Sequence, residues 1–189
     1  HNGILYADEL PEFGKATLEV LRQPLEDRKI TISRAKYTIE YPCSFMFVAS
    51  MNPCPCGYYN HPTKACVCHI GQVQRYLNRI SGPLMDRIDI QLRVLPVSAS
   101  EIVGESGKIG ESSRQIAQRV KRAREIQYNR YKGENFYTNS QIPAGLISKY
   151  CSVGEREKGF LKEMISRMHL AARGYSRVLK VSRTIADIE

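Results

Sequence analysis

The stretch ILYADEL, Ile4 to Leu10, passes from Ile4, Leu5, Tyr6 and Ala7 straight into two adjacent carboxylates, Asp8 and Glu9. A short apolar run of this kind suits a buried parallel strand better than a helix. Parallel α/β sheets bind ligands at the carboxyl ends of their strands. Both acids would then lie at a site, where one can hold a hydrated metal ion and the other can orient a water. The plainer alternative is a strand that runs into a solvated turn.

Beyond the acids, PEFGKATLEVLRQPLED places Leu18, Leu21 and Leu25 at helical spacing, with Pro24 expected to bend or end that helix. KITISRAKYTIEY then alternates apolar and polar residues on either side of SRAK, which predicts a β-hairpin with Arg34 and Lys36 at its tip. CSFMFVASMNP repeats the opening layout, a buried strand that delivers a polar residue, Asn52, before Pro53 stops it. A Cys/Pro/Gly loop covers residues 53–69, and GQVQRYLNRI reads as a helix. SGPLMDRIDIQLRVLP predicts a turn, a short helix and a strand near Ile88–Leu95.

Residues 97–111 are rich in glycine and serine and read as a linker. From Ser112 the pattern is helical. Ile116, Val120, Ala123 and Ile126 form an apolar stripe on a strongly basic helix, and further helices are expected over Ala144–Tyr150, Glu155–Ala172 and Tyr175–Ile188. The organisation is therefore an α/β part over residues 1–96, the linker, and a helical part over 112–189.

The chain has 189 residues, enough for a domain with a small companion, and its 42% hydrophobic and 25% charged content is ordinary for a soluble globular protein. No apolar run approaches the roughly 18 residues of a membrane span. No signal peptide opens the chain, which predicts a cytoplasmic protein. It also lacks an initiator Met and begins inside the first strand, so a fragment of a longer protein is expected. The net charge of +9 is uneven: residues 1–96 carry +2 and residues 97–189 carry +7. A basic surface of this kind suits an anionic partner such as nucleic acid or nucleotide, and equally a merely soluble surface.

Four of the six cysteines fall in the pattern C-x-C-x9-C-x-C, at Cys54, Cys56, Cys66 and Cys68. Four thiolates suit tetrahedral Zn²⁺, although C-x2-C is the commoner spacing, and His61 or His69 could replace a thiol. Four ligands leave no open position, so such a metal would be structural. Cys43 and Cys151 lie outside the cluster and are expected to be buried hydrophobes.

Several segments, taken in order, resemble one family. ILYADEL resembles a Walker B strand, FVASMN a sensor 1 strand, GPLMDRIDI an arginine-finger segment and AARGYSR a sensor 2 segment. The longer strings DELPEFGKATLEVLRQPLEDRKITISRA, SMNPCPCGYY, RISGPLMDRIDI and SRVLKVSRTIADIE resemble the magnesium-chelatase-like AAA+ ATPases of the ComM/YifB type. The resemblance covers nearly the whole chain. No G-x-x-x-x-G-K-[ST] occurs, so the chain resembles the C-terminal part of the ATPase module, without its Walker A loop, and by itself is expected to be inactive.

The resemblance implies a partial AAA+ P-loop sandwich of three layers, containing the Walker B, sensor 1 and following strands, plus an α-helical lid. Asp8 would hold the Mg²⁺ of bound ATP through water, Glu9 would polarise the attacking water, and Asn52 would help orient it. Arg87 would be the finger that reaches a neighbouring subunit's nucleotide, against the alternative of an ion pair with Asp86 or Asp89. Arg173 would contact the γ-phosphate from the lid, with Arg177, one turn on, as the second choice. Nucleotide bound between subunits implies a ring, a hexamer by analogy. Arg34 and Lys36 on the hairpin could grip a DNA backbone.

ComM-like proteins are associated with DNA branch migration during transformation. A magnesium-chelatase motor acting on a porphyrin is a second reading, and a zinc-stabilised nucleic-acid-binding module without catalysis is a third. In the AAA+ fold the strand order is 5-1-4-3-2. Strands 3 (Ile4–Ala7) and 4 (Phe45–Ser50) can pair, but strand 5 (Ile88–Leu95) lacks its usual neighbour. Strand 5 is therefore expected to move against strand 4, or the open edge to pair with another copy.

Overall fold

A computed structural model of the chain describes residues 1–97, 102–103, 110–168 and 172–189. They fall into two compact units, His1–Pro96 and Val97–Glu189. The fold is mixed α/β, and among the described residues no helix is long and apolar enough to cross a membrane. Most of the 97–111 linker lies outside the described residues.

The first unit holds four strands in chain order, β1 (Gly3–Ala7), β2 (Lys29–Arg34), β3 (Tyr37–Pro42) and β4 (Phe45–Ala49). β1 and β4 pair in parallel, with Gly3 opposite Phe45 and Ala7 opposite Ala49. Both strands therefore end at the same edge, so Asp8 and Ser50 leave the sheet side by side. β2 and β3 form an antiparallel hairpin in which Arg34 faces Tyr37 across a two-residue turn at Ala35 and Lys36. The basic tip expected from SRAK is formed and exposed.

Two expectations for this unit are corrected. No strand forms over Ile88–Leu95, so it neither moves against β4 nor pairs elsewhere among the described residues. An isolated strand cannot satisfy its own N–H and C=O groups, and this segment pairs with no other strand among the described residues. Its apolar side chains lie open, Leu92 at 84% and Val94 at 88% exposure. Nor are β1 and β4 buried along their length, since Ile4 is 71% exposed and only Ala7 of β1 is buried. A two-stranded sheet is covered only where other elements pack on it. Here that is the carboxyl edge, where Ala7, Leu10, Leu18, Ile80 and Leu84 form the core.

The leucine-rich segment makes two short helices, α1 (Lys15–Val20) and α2 (Arg22–Asp27), with the break at Leu21. Pro24 thus falls in the first turn of α2, where no backbone N–H is needed for the helix ladder. Beyond the cysteine loop come α3 (Ile70–Leu77) and the single turn α4 (Gly82–Met85), whose cap Ser81 accepts a hydrogen bond from the Leu84 amide at 3.3 Å. Helix α3 buries Val73 and Tyr76, one helical turn apart.

The second unit is helical. It contains α5 (Ser113–Arg130), α6 (Ile147–Tyr150), α7 (Glu155–Met168) and α8 (Ala172–Ile188). Residues 169–171, at the end of one expected helix, lie outside the described residues, and α8 begins before Tyr175. Tyr131, Phe136, Ile142, Ile147, Cys151 and Leu179 form its core. The rings of Tyr131 and Phe136 lie 4.8 Å apart, and those of Tyr131 and Tyr150 5.0 Å.

The apolar stripe on α5 is buried only at Ala123, while Ile116, Val120 and Ile126 are exposed. The helix instead turns Gln127 and Arg130 toward a buried polar network. Arg130 Nη1 donates to Asp187 Oδ2 at 2.8 Å, and its Nη2 bonds Asp187 Oδ1. Asn139, 1% exposed, donates to Asp187 Oδ2 at 2.8 Å and to Thr184 Oγ1 at 3.0 Å. Asp187, Asn139 and Arg130 are thereby paired, which offsets their desolvation, while Arg183 Nε is buried without a hydrogen-bond partner. Cys151 is buried as expected, whereas Cys43 is only half-buried.

Candidate functional site

The carboxyl edge of the β1–β4 pair gathers Asp8, Glu9, Ser50 and Asn52. Two backbone bonds lock it: the Ser50 amide donates to the Ala7 carbonyl at 3.0 Å, and the Leu10 amide to the Ser50 carbonyl at 2.9 Å. The Ser50 hydroxyl donates to Asp8 Oδ1, and the Glu9 amide donates to the same oxygen at 3.0 Å. The Tyr6 hydroxyl lies 3.2 Å from Ser50 Oγ and 3.4 Å from Asp8 Oδ1. The Ser50 bond chiefly holds the Asp8 carboxyl below the usual carboxylate range, slight burial opposes it, and the Glu9 amide and Tyr6 assist. Asp8 is thus an exposed carboxylate kept ionised, the state that a cation site requires.

Glu9 adopts φ 51°, ψ 49°, a left-handed conformation that costs a residue with a side chain about 1 kcal/mol or more. The strain falls on the residue expected to polarise water. The Leu10 amide bond to Ser50 and the Leu10–Glu12 3-10 turn hold it there.

Asn52 is exposed, two residues past Ser50. Its backbone amide approaches the hydroxyl of Tyr76, a buried residue of α3. Burial raises the Tyr76 phenol pKa, the Asn52 amide opposes that, and the charges of Glu12 and Glu9 add to the rise.

Arg87 does not extend freely. Its side chain is 13% exposed, paired with Glu26 of α2, and donates to the Pro83 carbonyl at 2.5 Å. Its Nε is buried without a hydrogen-bond partner. Neither Asp86 nor Asp89 supplies that ion pair. Arg34 and Lys36 lie at the exposed hairpin tip. Within the second unit, Arg173 is exposed on the first turn of α8, with Arg177 half-buried one turn later. Ser50, Tyr6 and Tyr76 were not anticipated from the sequence. Ser50 carries a signal in hindsight, as a polar residue ending the apolar run of FVAS.

The four cluster cysteines converge. All four sulfurs lie within 4.8 Å of one another. Cys54 Sγ is 3.4 Å from Cys56 Sγ and 3.7 Å from Cys66 Sγ, and the Cys56–Cys66 pair is 3.5 Å. A tetrahedral Zn²⁺ with ~2.3 Å bonds to sulfur sets its ligand sulfurs about 3.8 Å apart, so the set fits that ion. His61 is engaged elsewhere, its Nδ1 accepting from the Thr63 and Lys64 amides at 3.2 and 3.1 Å, while His69 takes the N-cap of α3, its backbone amide donating to Gln72 Oε1 at 2.9 Å.

Backbone amides also aim at the sulfurs. The Tyr59 amide donates to Cys54 Sγ at 3.3 Å. The Tyr58 amide is the largest influence drawing the Cys56 thiol down to about 6, against burial and with help from the Val67 amide. The Cys68 amide draws Cys66 down, but burial and the Cys56 and Cys54 sulfurs outweigh it and push that thiol up to about 12. One thiol ionised beside others that resist ionisation is what like-charge crowding gives before a cation neutralises it.

The family description "Magnesium chelatase, subunit ChlI" matches residues 1–102, and "Magnesium chelatase, subunit ChlI C-terminal" matches residues 110–189. The chain belongs to the magnesium chelatase ChlI family. Within it, the chain is 42% identical over 188 residues to Competence protein ComM of Haemophilus influenzae, covering 100% of this chain and 36% of that protein. It is 41% identical over 189 residues to the uncharacterized protein YifB of Salmonella typhimurium, again over 100% of this chain and 36% of the relative. A mycobacterial relative, Mb2921c of Mycobacterium bovis, is 34% identical with the same coverage. The chain thus spans about a third of the length of the curated relatives it matches.

Proposed function

We propose that the chain is the C-terminal part of a ComM-type AAA+ ATPase that couples ATP binding and hydrolysis to remodelling or translocating DNA. One observation carries this reading: parallel strands that bring Asp8–Glu9 and Ser50–Asn52 to a common edge, in a chain of this family. Asp8 orients the Mg²⁺ of MgATP through water, held ionised by Ser50. Glu9 polarises the attacking water and Asn52 orients it. The metal supplies charge neutralisation on the phosphates.

Arg87 serves a neighbouring subunit's nucleotide in a ring, exchanging Glu26 for phosphate oxygens. Residues 112–189 act as the lid after the 97–111 linker, with Arg173, or Arg177 in its place, toward the γ-phosphate. Arg34 and Lys36 contact the DNA backbone. Zn²⁺ on Cys54, Cys56, Cys66 and Cys68 is structural, since four protein ligands leave no open position.

The test is made on the full-length protein. Glu9→Gln is expected to lower kcat at least about 100-fold while ATP still binds. Arg34→Ala with Lys36→Ala is expected to weaken DNA binding evenly across sequences and to flatten its salt dependence. A turnover stimulated by porphyrin and indifferent to DNA would favour the chelatase reading instead, and undiminished turnover by Glu9→Gln would overturn the site.

A further inference from the structure

The loop between Pro53 and His69 has no core of its own. It contains no helix or strand, and Cys54 is its only buried residue. Seventeen residues cannot be ordered on one buried side chain, because fixing each backbone costs about 1–2 kcal/mol. What the loop does have is four sulfurs drawn together, two at each end.

The position of those ends is informative. Cys54 lies two residues beyond Asn52, where β4 delivers its polar group. Cys68 lies next to His69, whose side chain and backbone form the capping box of α3 with Gln72. Helix α3 is held in the first unit by its buried Val73 and Tyr76. A metal joining the four sulfurs would therefore tie the end of β4 directly to the start of α3.

We propose that Zn²⁺ on the four thiolates is the positioning device for the water-orienting side of the site, fixing Asn52 at the exit of β4 without touching the nucleotide. This rests on the zinc reading given above. The metal acts on geometry alone: it ties the exit of one strand to the entry of one helix, as a cross-link that shortens a loop does. Asn52 is then the group positioned. Zinc removal releases Asn52 and the α3 N-terminus locally, while the hairpin and the helical unit stay folded.

The experiment uses the chain as purified. Metal analysis is expected to give one zinc per chain, and chelation followed by added Zn²⁺ restores it. Amide hydrogen exchange then reads the consequence. On chelation, the Leu10, Ser50, Gln72 and Val73 amides are expected to exchange at least about tenfold faster. The β2–β3 ladder and the Tyr131 amide serve as controls and stay protected. Cys68→His, which keeps four ligands, is expected to retain zinc and protection, whereas Cys56→Ser with Cys68→Ser loses both.

A metal-free chain with four reactive thiols would remove the zinc reading and this inference with it. Bound zinc whose removal leaves those four amides unchanged would overturn the positioning role alone. Bound zinc whose removal also opens the hairpin would make the metal a general stabiliser and equally overturn the positioning role. Because chelation acts on the unaltered chain, misfolding of the serine variants would not obscure the result.

Discussion

At the level of single residues, charge placement is decided by partners far away in sequence. Asp8 owes its depressed pKa first to Ser50, and Arg87 is held by Glu26. Replacing Glu26 with Gln leaves the Arg87 guanidinium without its counter-charge. A loss of about 1–2 kcal/mol is expected, read as a lower urea midpoint. Asp187 is the clearest pH-dependent case. Burial raises its pKa, but the Arg130 and Asn139 hydrogen bonds outweigh this and lower it below 3.8.

A group depressed in the folded state stabilises above its unfolded pKa and loses that contribution as pH falls through the folded value. The helical unit is therefore expected to lose stability progressively below pH 3.8. Asp187→Asn should remove that acid-dependent part and cost about 3 kcal/mol at neutral pH. Far-UV circular dichroism against urea at several pH values checks both. An Asp187→Asn chain as stable as the parent at pH 7 would contradict the assignment.

At the level of elements, packing decides what periodicity suggests. Helix α4 is one turn, yet Leu84 on it is wholly buried against Ala7, Leu10, Leu18 and Ile80. That contact holds the segment bearing Arg87. Leu84→Ala is expected to cost about 2–5 kcal/mol, seen as a shift in the first unit's unfolding transition. The same substitution at exposed Leu92 should change stability by under about 0.5 kcal/mol. A comparable loss at both positions would show that the segment after Ile88 is packed after all.

At the level of the whole molecule, the arginine finger is a statement about assembly. In mixed rings of the full-length protein, subunits carrying Arg87→Ala alongside subunits carrying Glu9→Gln are expected to recover part of the ATPase activity that each variant lacks alone. A mixture no more active than either variant would remove the trans role and leave Arg87 as the partner of Glu26.

Much of this protein was legible from contiguous residues. The acids that end ILYA, the hairpin about SRAK, Asn52 at the end of FVASMN and the change to helices after Ser112 follow from local periodicity and turn chemistry, which need no distant contact. Cysteine spacing also named the four thiols, but left the histidines as alternatives. Tertiary structure decided between them, because only in space do Cys54 and Cys66 lie 3.7 Å apart while His61 accepts from neighbouring amides.

It also decided what no period carries. Ser50 meets Asp8 across 42 residues, Glu26 meets Arg87 across 61, and Tyr76 reaches Asn52 through a helix beyond the cysteine loop. The apolar run Ile88–Leu95 has strand-like residues and forms no strand. A strand is a property of a pair, and its hydrogen bonds exist only where the segment lies against a second strand.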